Sequence, residues 1–233
     1  MNKRTNGIII AIDGPSGAGK STVARLLADR LGYRQIDTGA MYRAAALLIA
    51  QAGIDPGDHS TLESFCQKLD ISLVHVDGIQ SVIANGSDVT NQIRTPEMSL
   101  LTSRISTLRP VRDALLKLQR LMGAGGGVVL EGRDIGTVVF PDAELKFYRF
   151  ASAEERGRRR CEELSEKGEQ VTLVDTIADV VKRDLQDSGR DLAPLRQAED
   201  AIAIDSSLLT VEDVLDKMEH LYKEKINLTG TAP

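Results

Sequence analysis

The sequence predicts an α/β fold with a parallel sheet at its centre and helices on both faces. A continuous run of mostly β-branched residues at 7–12 predicts a buried parallel strand. After it, helical and strand-like segments alternate through residue 51, as they do in α/β folds. The chain has 233 residues, of which 42% are hydrophobic, so it is long enough to bury one sizeable core.

The first third of the chain contains four elements in the expected alternation. The strand at 7–12 is followed by a helix that begins near Lys20 and stops at Gly32, because glycine is a common C-terminal helix stop. A short strand at 33–37 and a helix at 40–51 complete this part. These elements predict the first half of the sheet.

The middle of the chain interrupts the alternation and predicts an inserted lobe. We expect one helix and two short strands there, at 61–69, 71–76 and 80–84. The dipeptides Asp77-Gly78 and Asn85-Gly86 favour tight hairpin turns. Because a small antiparallel ribbon fits poorly inside a parallel sheet, we assign residues 60–99 to an insert.

The last part of the chain returns to the α/β pattern. We expect a helix at 99–122, strands at 128–130, 145–150 and 201–204, and helices from 152, at 171–185 and at 210–225. Ser152 with Glu155 has the spacing of an N-terminal capping box, and Thr210 with Asp213 resembles one. We therefore expect a single domain, 1–233, with its core at 7–59 and 100–227.

Composition excludes several classes of function. A net charge of −5 and a pI of about 5.3 disfavour nucleic-acid binding, and the absence of Trp leaves few stacking surfaces. Cys66 and Cys161 are too few for a disulfide framework or a metal cluster. The longest apolar run, at 44–50, is too short to span a membrane. We expect a soluble cytoplasmic protein, and a monomer because no long apolar heptad pattern is present.

The strongest motif is a phosphate-binding loop. Residues 14–21, GPSGAGKS, match G-x-x-x-x-G-K-[ST] in full, between a predicted strand and a predicted helix. This pattern predicts a P-loop NTPase fold, in which Lys20 reaches the nucleotide phosphates and the Ser21 hydroxyl joins a Mg²⁺ shell. The residues expected to bind the nucleoside triphosphate are Gly14, Pro15, Ser16, Gly17, Ala18, Gly19, Lys20, Ser21 and Thr22.

Scattered arginines indicate what receives the phosphoryl group. The sequence lacks the H-R-D-x-x-x-x-N and D-F-G motifs of protein kinases and the N-K-x-D motif of GTPases. Arginine suits bidentate phosphate binding, so an enzyme that moves phosphate between two nucleotides needs several. Each arginine taken singly is equally open to a solvated or ion-paired role. The candidates are Arg43, Arg112, Arg133, Arg156, Arg160, Arg183 and Arg190.

Four further sequence blocks resemble bacterial-type cytidylate kinases, members of the nucleoside monophosphate kinase family. These blocks are DTGAMYR at 37–43; IRT at 93–95 with Ser103 and Val111-Arg112; EGRDIGTVVFP at 131–141; and Arg183 through Pro194-Leu195, followed by DSS at 205–207. With the phosphate loop they cover nearly the whole chain, and their combination is specific. The resemblance implies ATP- and Mg²⁺-dependent phosphorylation of CMP and dCMP, a monophosphate-binding insert and a helical lid at about 152–190.

The resemblance also implies a role for each matching residue. Around the acceptor's phosphate and sugar it places Thr38, Arg43, Arg133, Arg183, Asp187 and Arg190. The cytosine would be read by Ser103, Arg112 and Asp134. The lid arginines would be Arg156 and Arg160, and Ser206 would lie near the adenine.

Some positions depart from the family pattern or keep a second interpretation. Gln186 and Ser188 stand where some members have arginine, so lid contacts could come from Arg158 or Arg159, which we otherwise expect to face solvent. Pro110 sits one place later than the usual proline.

Two candidate residues keep a second interpretation. Asp134 could instead pair with Arg133, and Asp187 could be a plain helix-end carboxylate. Two rival functions remain, a kinase for another small acceptor and a non-catalytic nucleotide-binding regulator.

Overall fold

A computed structural model of the chain describes residues 4–76, 79–166 and 168–229. Its strands are β1 (Ile9–Asp13), β2 (Arg34–Asp37), β3 (Ile71–Val76), β4 (Ile79–Ala84), β5 (Ser87–Asp88), β6 (Val128–Gly132), β7 (Leu145–Phe150) and β8 (Ile202–Asp205). Its helices are α1 (Lys20–Leu31), α2 (Thr38–Gln51), α3 (His59–Cys66), α4 (Pro96–Ile105), α5 (Arg109–Gly123), α6 (Ala153–Glu166), α7 (Leu173–Ser188) and α8 (Val211–Thr229). A π-helical turn spans Ile135–Val139.

The central sheet confirms the predicted α/β class. Its strand order is β2-β6-β1-β7-β8, and the pairings of β1 with β6, β1 with β7 and β7 with β8 are parallel. All five residues of β1 are buried, as expected of a central parallel strand with both faces covered. The phosphate loop begins where β1 ends.

The chain divides into two compact units, Met1–Gln35 with Gly125–Pro233, and Ile36–Ala124. The expected insert at 60–99 lies inside the second unit. The division of the chain into core, insert and lid stays a prediction.

One face of the sheet in the first unit packs against α1 and α8. Ile10 and Ile12 of β1 pack with Val23 and Leu27 of α1 and with Met218 of α8, and all five are completely buried. Burial of this kind contributes roughly 1.5–3 kcal/mol for each large aliphatic side chain. The start of α1, and with it the phosphate loop, is therefore held against the sheet.

The second unit contains the predicted antiparallel ribbon. Strand β4 lies between β3 and β5, with antiparallel pairings to both. Asn85 and Gly86 join β4 to β5 with φ of 47° and 78°, the positive values that a tight hairpin turn requires. The turn expected at Asp77-Gly78 lies outside the described residues.

The single helix expected at 99–122 was wrong, because the structure has two helices there, α4 and α5. The second begins after Leu108 with Pro110 in its first turn, where proline's missing N–H is tolerated. The hydroxyls of Ser106 and Thr107 donate to carbonyls three residues earlier, at 2.9 and 2.8 Å, and so occupy acceptors that a continuous helix would use.

Helices α6 and α7 form the segment predicted as the lid. They approach closely at Gly157, where an added Cβ would lie 2.4 Å from Cγ1 of Ile177. The expected cap at Ser152 is present, since its Oγ accepts from the Glu155 amide at 3.2 Å. No helix within the described ranges combines the length and apolar character needed to cross a membrane.

Candidate active site

Glycines give the phosphate loop its shape. Gly14, Gly17 and Gly19 have φ of 150°, 72° and 74°, a region that L side chains rarely adopt. A Cβ on Gly14 would lie 1.9 Å from the carbonyl oxygen of Arg149, so strand β7 approaches the loop too closely for any side chain there. The glycines therefore allow the tight turn from β1 into α1 in which backbone amides can face a bound phosphate.

Lys20 is the first residue of α1, and its side chain is buried beside the loop. Its Nζ donates to the carbonyl oxygen of Pro15 at 2.7 Å. Burial lowers the pKa of Lys20 well below 10.5, and the like charges of Arg133 and Arg183 lower it further. A bound polyphosphate would act against this lowering of the pKa, because anionic oxygens favour the charged ammonium.

Glu131 is a residue of the site to which the sequence analysis gave no role. Its carboxylate accepts from the Ser21 hydroxyl at 2.7 Å and from Nε2 of Gln35 at 3.2 Å, and it is buried. Its position after the apolar residues of β6 was the available signal. The carboxylate fixes the direction of the Ser21 hydroxyl.

The same pair suits a magnesium ion. Mg²⁺ prefers oxygen ligands and is usually held by one or two protein groups together with substrate phosphates. Ser21 and Glu131 supply a hydroxyl and a carboxylate oxygen beside the loop. No cluster of three or more His, Cys, Asp or Glu ligands occurs in the described part of the chain, so an all-protein metal cage is absent there.

Asp187 organises the arginines of the first unit. One of its oxygens accepts from Nε of Arg133 at 2.8 Å, and the other accepts from Arg190. Burial alone would raise the pKa of Asp187, but the charges of Arg133, Arg190 and Arg183 outweigh it and leave this pKa below the usual value. With 1% exposure, Asp187 is not a plain helix-end carboxylate.

Asp134 lies at the start of the π-helical turn and is buried. Its neighbour Arg133 donates from Nε to Asp187 at 2.8 Å, and the alternative of an Arg133–Asp134 ion pair stays open. Asp13 accepts from the amides of Ile135 and Gly136 at 2.9 and 2.7 Å and thereby holds the turn. Burial raises the pKa of Asp13 to about 6. The sequence analysis missed this turn, which has no simple sequence signal.

The lid arginines have different surroundings. Arg156 is buried against the phosphate loop, where its Nη1 donates to Ser16 O at 2.9 Å and to Asp184 at 2.5 Å. Asp184, another residue without an assigned role, also accepts from the Ser16 amide at 3.1 Å. Arg160 instead pairs with Glu163 on the helix surface, at 2.9 Å.

Arg158 and Arg159 were both expected to face solvent, but only Arg158 does so. Arg158 is half exposed and pairs with Glu155 and Glu162 of its own helix. Arg159 reaches inward, and its Nη2 donates to the carbonyl oxygen of Ser206 at 2.7 Å. Helical periodicity puts position 159 on the face that packs toward β8, which overrides the charge of its side chain.

Two candidates of the second unit, Thr38 and Arg43, lie near the start of α2. Asp37 caps this helix by accepting from the Ala40 amide at 2.8 Å and from Arg43 at 3.3 Å. Thr38 is buried at the first helical position. Nε of Arg43 is buried and has no hydrogen-bond partner among the residues that the structure describes. An anionic ligand would supply that partner.

Arg112 and Ser103 lie in the helical part of the second unit. The guanidinium of Arg112 stands 5.7 Å from the ring centre of Tyr42, and its Nη1 donates to Ser106 O at 3.1 Å. Ser103, on α4, is half-buried. Both are thus held within one unit, and each keeps atoms on a partly open surface.

The matches to known proteins span the part of the chain that contains these residues. The model of the family described as "Cytidylate kinase" matches residues 10–224. A cytidylate kinase of Geobacter sp. (strain M21) is 60% identical over 96% of this chain and 96% of its own length. The chain belongs to the cytidylate kinase family. It is therefore a kinase, a phosphotransferase, as the sequence predicted.

Other cytidylate kinases support the same family assignment. That of Geobacter sulfurreducens is 59% identical and covers 97% of both chains. That of Syntrophotalea carbinolica is 55% identical and covers 97% of this chain and 94% of its own. The sequence similarity extends over the phosphate loop, both compact units and α8.

Proposed function

We propose that the chain catalyses the ATP-dependent phosphorylation of CMP and dCMP to CDP and dCDP. The observation that carries the proposal is the set of cations around Lys20, whose pKa is lowered first by burial and further by the like charges of Arg133 and Arg183. Like charges held together in a buried site favour a polyanionic ligand. Membership of the cytidylate kinase family supports CMP as the acceptor.

The donor would bind at the phosphate loop. Backbone amides from Gly17 to Ser21 and the start of α1 would receive the β-phosphate, with Lys20 near the transferred group. Ser21 and Glu131 would hold Mg²⁺, which when bound neutralises charge on the phosphates. Asp184 and Arg156 hold Ser16, and so keep the entrance of the loop in place.

The acceptor would be held by its phosphate, sugar and base. Arg133, Arg183 and Arg190, ordered by Asp187, would bind the phosphate with help from Thr38 and Arg43. The buried Nε of Arg190 has no hydrogen-bond partner within the described residues, which supports an anionic ligand there. The attacking phosphate oxygen is already anionic, so in-line transfer needs no strong general base.

The base would be read by Ser103, Arg112 and Asp134. An ionised carboxylate accepts a hydrogen bond from the N4 amine of cytosine. It repels the O4 oxygen of uracil, which is itself an acceptor. Asp187, already bonded to two arginines, would lie near the sugar. CMP would then be preferred over UMP.

Closure of the lid would complete the site. Arg156 and Arg160 would meet the ATP phosphates once α6 and α7 close, which excludes water and prevents idle ATP hydrolysis. The pairing of Arg160 with Glu163 lies on an exposed surface, where ion pairs contribute about 0–1 kcal/mol and are easily exchanged. We further propose that the enzyme acts as a cytoplasmic monomer without nucleic-acid partners.

A panel of acceptors tests this function. ATP and Mg²⁺ are supplied with CMP, dCMP, UMP, AMP or gluconate, the last as a non-nucleotide acid. ADP formation is followed by a coupled assay. The Lys20→Ala variant is the control preparation. CMP and dCMP should be turned over at least about tenfold more efficiently than the others, a difference of about 1.4 kcal/mol. Preference for another acceptor would overturn the substrate assignment. No turnover with any acceptor would favour a nucleotide-binding regulator.

A further inference from the structure

Arg149, on β7, is the most deeply buried large charged side chain among the described residues. It is 2% exposed, although arginine is rarely buried unless it is paired. The sequence analysis placed it in the strand at 145–150 and gave it no role. Its burial therefore needs an explanation.

The guanidinium lies directly against the phosphate loop. Its Nη1 donates to the carbonyl oxygen of Gly19, the residue before Lys20. A Cβ on Gly19 would lie 2.9 Å from Nη1 and 3.2 Å from Nη2 of Arg149. Because Gly19 has the left-handed φ of 74°, this bond fixes the peptide from which α1 starts.

No carboxylate within the described residues forms an ion pair with Arg149. Its other bond runs from Nε to the Ser206 hydroxyl, at 3.3 Å. Glu131 acts on it electrostatically but is bonded to Ser21 and Gln35. Burial lowers the pKa of Arg149 to about 10, so the group keeps its charge at neutral pH.

A second cation adds to this charge. Arg159 donates from Nη2 to the carbonyl oxygen of the same Ser206, and its like charge also lowers the pKa of Arg149. Nη1 of Arg159 is buried and lacks a hydrogen-bond partner within the described ranges. Arg159 also forms an ion pair with Glu155 at 2.7 Å, so it is Arg149 that lacks a carboxylate partner within the described residues.

A buried, unpaired charge is costly unless a ligand compensates it. We propose that Arg149 is a positioning residue of the donor site, which fixes the Gly19 peptide and adds buried positive charge to the loop's hold on polyphosphate. This inference rests on the proposed function, because it assumes that the loop binds a nucleoside triphosphate. Acceptor binding should not depend on Arg149.

Two substitutions separate charge from packing. Arg149→Met fills similar volume without charge, and replacing a buried ion by an apolar side chain is often neutral or stabilising. Arg149→Lys keeps the charge but loses the planar fork. Binding of AMP-PNP with Mg²⁺ and binding of CMP are measured by calorimetry on each variant, and Tm is measured without ligand.

We expect Arg149→Met to bind AMP-PNP at least about tenfold more weakly, with CMP affinity within about twofold and Tm unchanged or higher. Arg149→Lys should bind AMP-PNP within about threefold of the wild type. A Met variant that does not fold, or that loses affinity for both nucleotides alike, would show a structural role and overturn the inference. A Lys variant as weak as the Met variant would overturn the part played by charge.

Failure of the inference is distinguishable from failure of the proposed function. If the loop does not bind ATP, the wild-type chain itself will not bind AMP-PNP. If only the inference fails, the wild-type chain will still bind AMP-PNP, and the variants will either bind it as tightly as the wild type or show one of the contradicting results given above.

Discussion

At the residue scale, two carboxylates, the buried Asp187 and the half-buried Asp184, determine where the cations of the site are held. Asp187 joins Arg133 to Arg190, and Asp184 joins Arg156 to the Ser16 amide. Each carboxylate is matched by donors in good geometry, which is the condition for burying charge. The arginines are therefore ordered before a ligand arrives.

Lys20→Ala should lower kcat at least about 100-fold, because it removes a cation from the transferring phosphoryl group. The fold should survive, since the buried position disfavours the charged lysine in the free protein. Turnover and Tm are measured beside the matched control Lys217→Ala, whose side chain is exposed on α8. Near-normal turnover in a folded Lys20→Ala variant would contradict the assignment of the phosphate loop.

Asp134→Ala should lower kcat/KM for CMP much more than for UMP and narrow their ratio by at least about tenfold. The variant lacks the carboxylate that would accept a hydrogen bond from the cytosine N4 amine. The same change removes the repulsion between that carboxylate and the O4 oxygen of uracil, a penalty of about 1–3 kcal/mol. Both substrates are assayed on one preparation, with Asp179→Ala on the exposed side of α7 as control. An unchanged ratio would exclude Asp134 from base selection.

At the element scale, the contact of α6 with α7 depends on a missing side chain. Gly157→Ala should reduce the free energy of unfolding by about 1–3 kcal/mol, because the new Cβ would lie 2.4 Å from Cγ1 and 2.9 Å from Cα of Ile177. Helix propensity alone predicts the opposite sign, a gain of roughly 0.5–1 kcal/mol.

Urea unfolding of Gly157→Ala measures which effect dominates. Ser165→Ala, at an exposed position of the same helix, controls for helix propensity without the contact. A higher free energy of unfolding for Gly157→Ala than for the wild type would show that α6 and α7 can move apart at this point without cost.

Ligands should slow amide hydrogen exchange in α6. The helix carries Arg156, Arg158, Arg159 and Arg160 nearly side by side, and these cations would gain further anionic partners when phosphates arrive. Exchange is measured by mass spectrometry with CMP and AMP-PNP, singly and together, and α8 serves as the internal reference. Equal exchange at 153–166 with and without both ligands would count against closure.

At the scale of the whole molecule, Asp13 should give stability a distinctive dependence on pH. Its pKa is raised from 3.8 to about 6, chiefly by burial. A raised carboxyl pKa contributes stability that is complete below pH 4 and is lost as pH rises through about 6. The difference in unfolding free energy between the wild type and Asp13→Asn should therefore fall by roughly 2–2.5 kcal/mol between pH 4 and 7.

Urea unfolding at several pH values in this window tests the prediction. The other carboxylates titrate in both proteins, so they cancel in the difference. A difference that stays constant, or that rises with pH, would mean that Asp13 is ionised in the fold at an ordinary pKa.

The sequence by itself determined the features that depend on neighbouring residues. The phosphate loop is contiguous, so its glycines, Lys20 and Ser21 are recognisable without knowledge of the rest. Apolar runs and capping pairs located nearly every strand and helix, since periodicity and capping are local properties. The family followed from five such blocks and was confirmed by the comparisons.

Only the tertiary structure decided which charged groups meet. Asp13 holds amides more than 120 residues away, Glu131 orients Ser21, and Arg149 supports Gly19. Periodicity reports which face of an element is apolar, but not which polar side chains of distant elements share a buried space. The strand order places β7 and β6 on either side of β1, and so brings Arg149 and Glu131 to the phosphate loop.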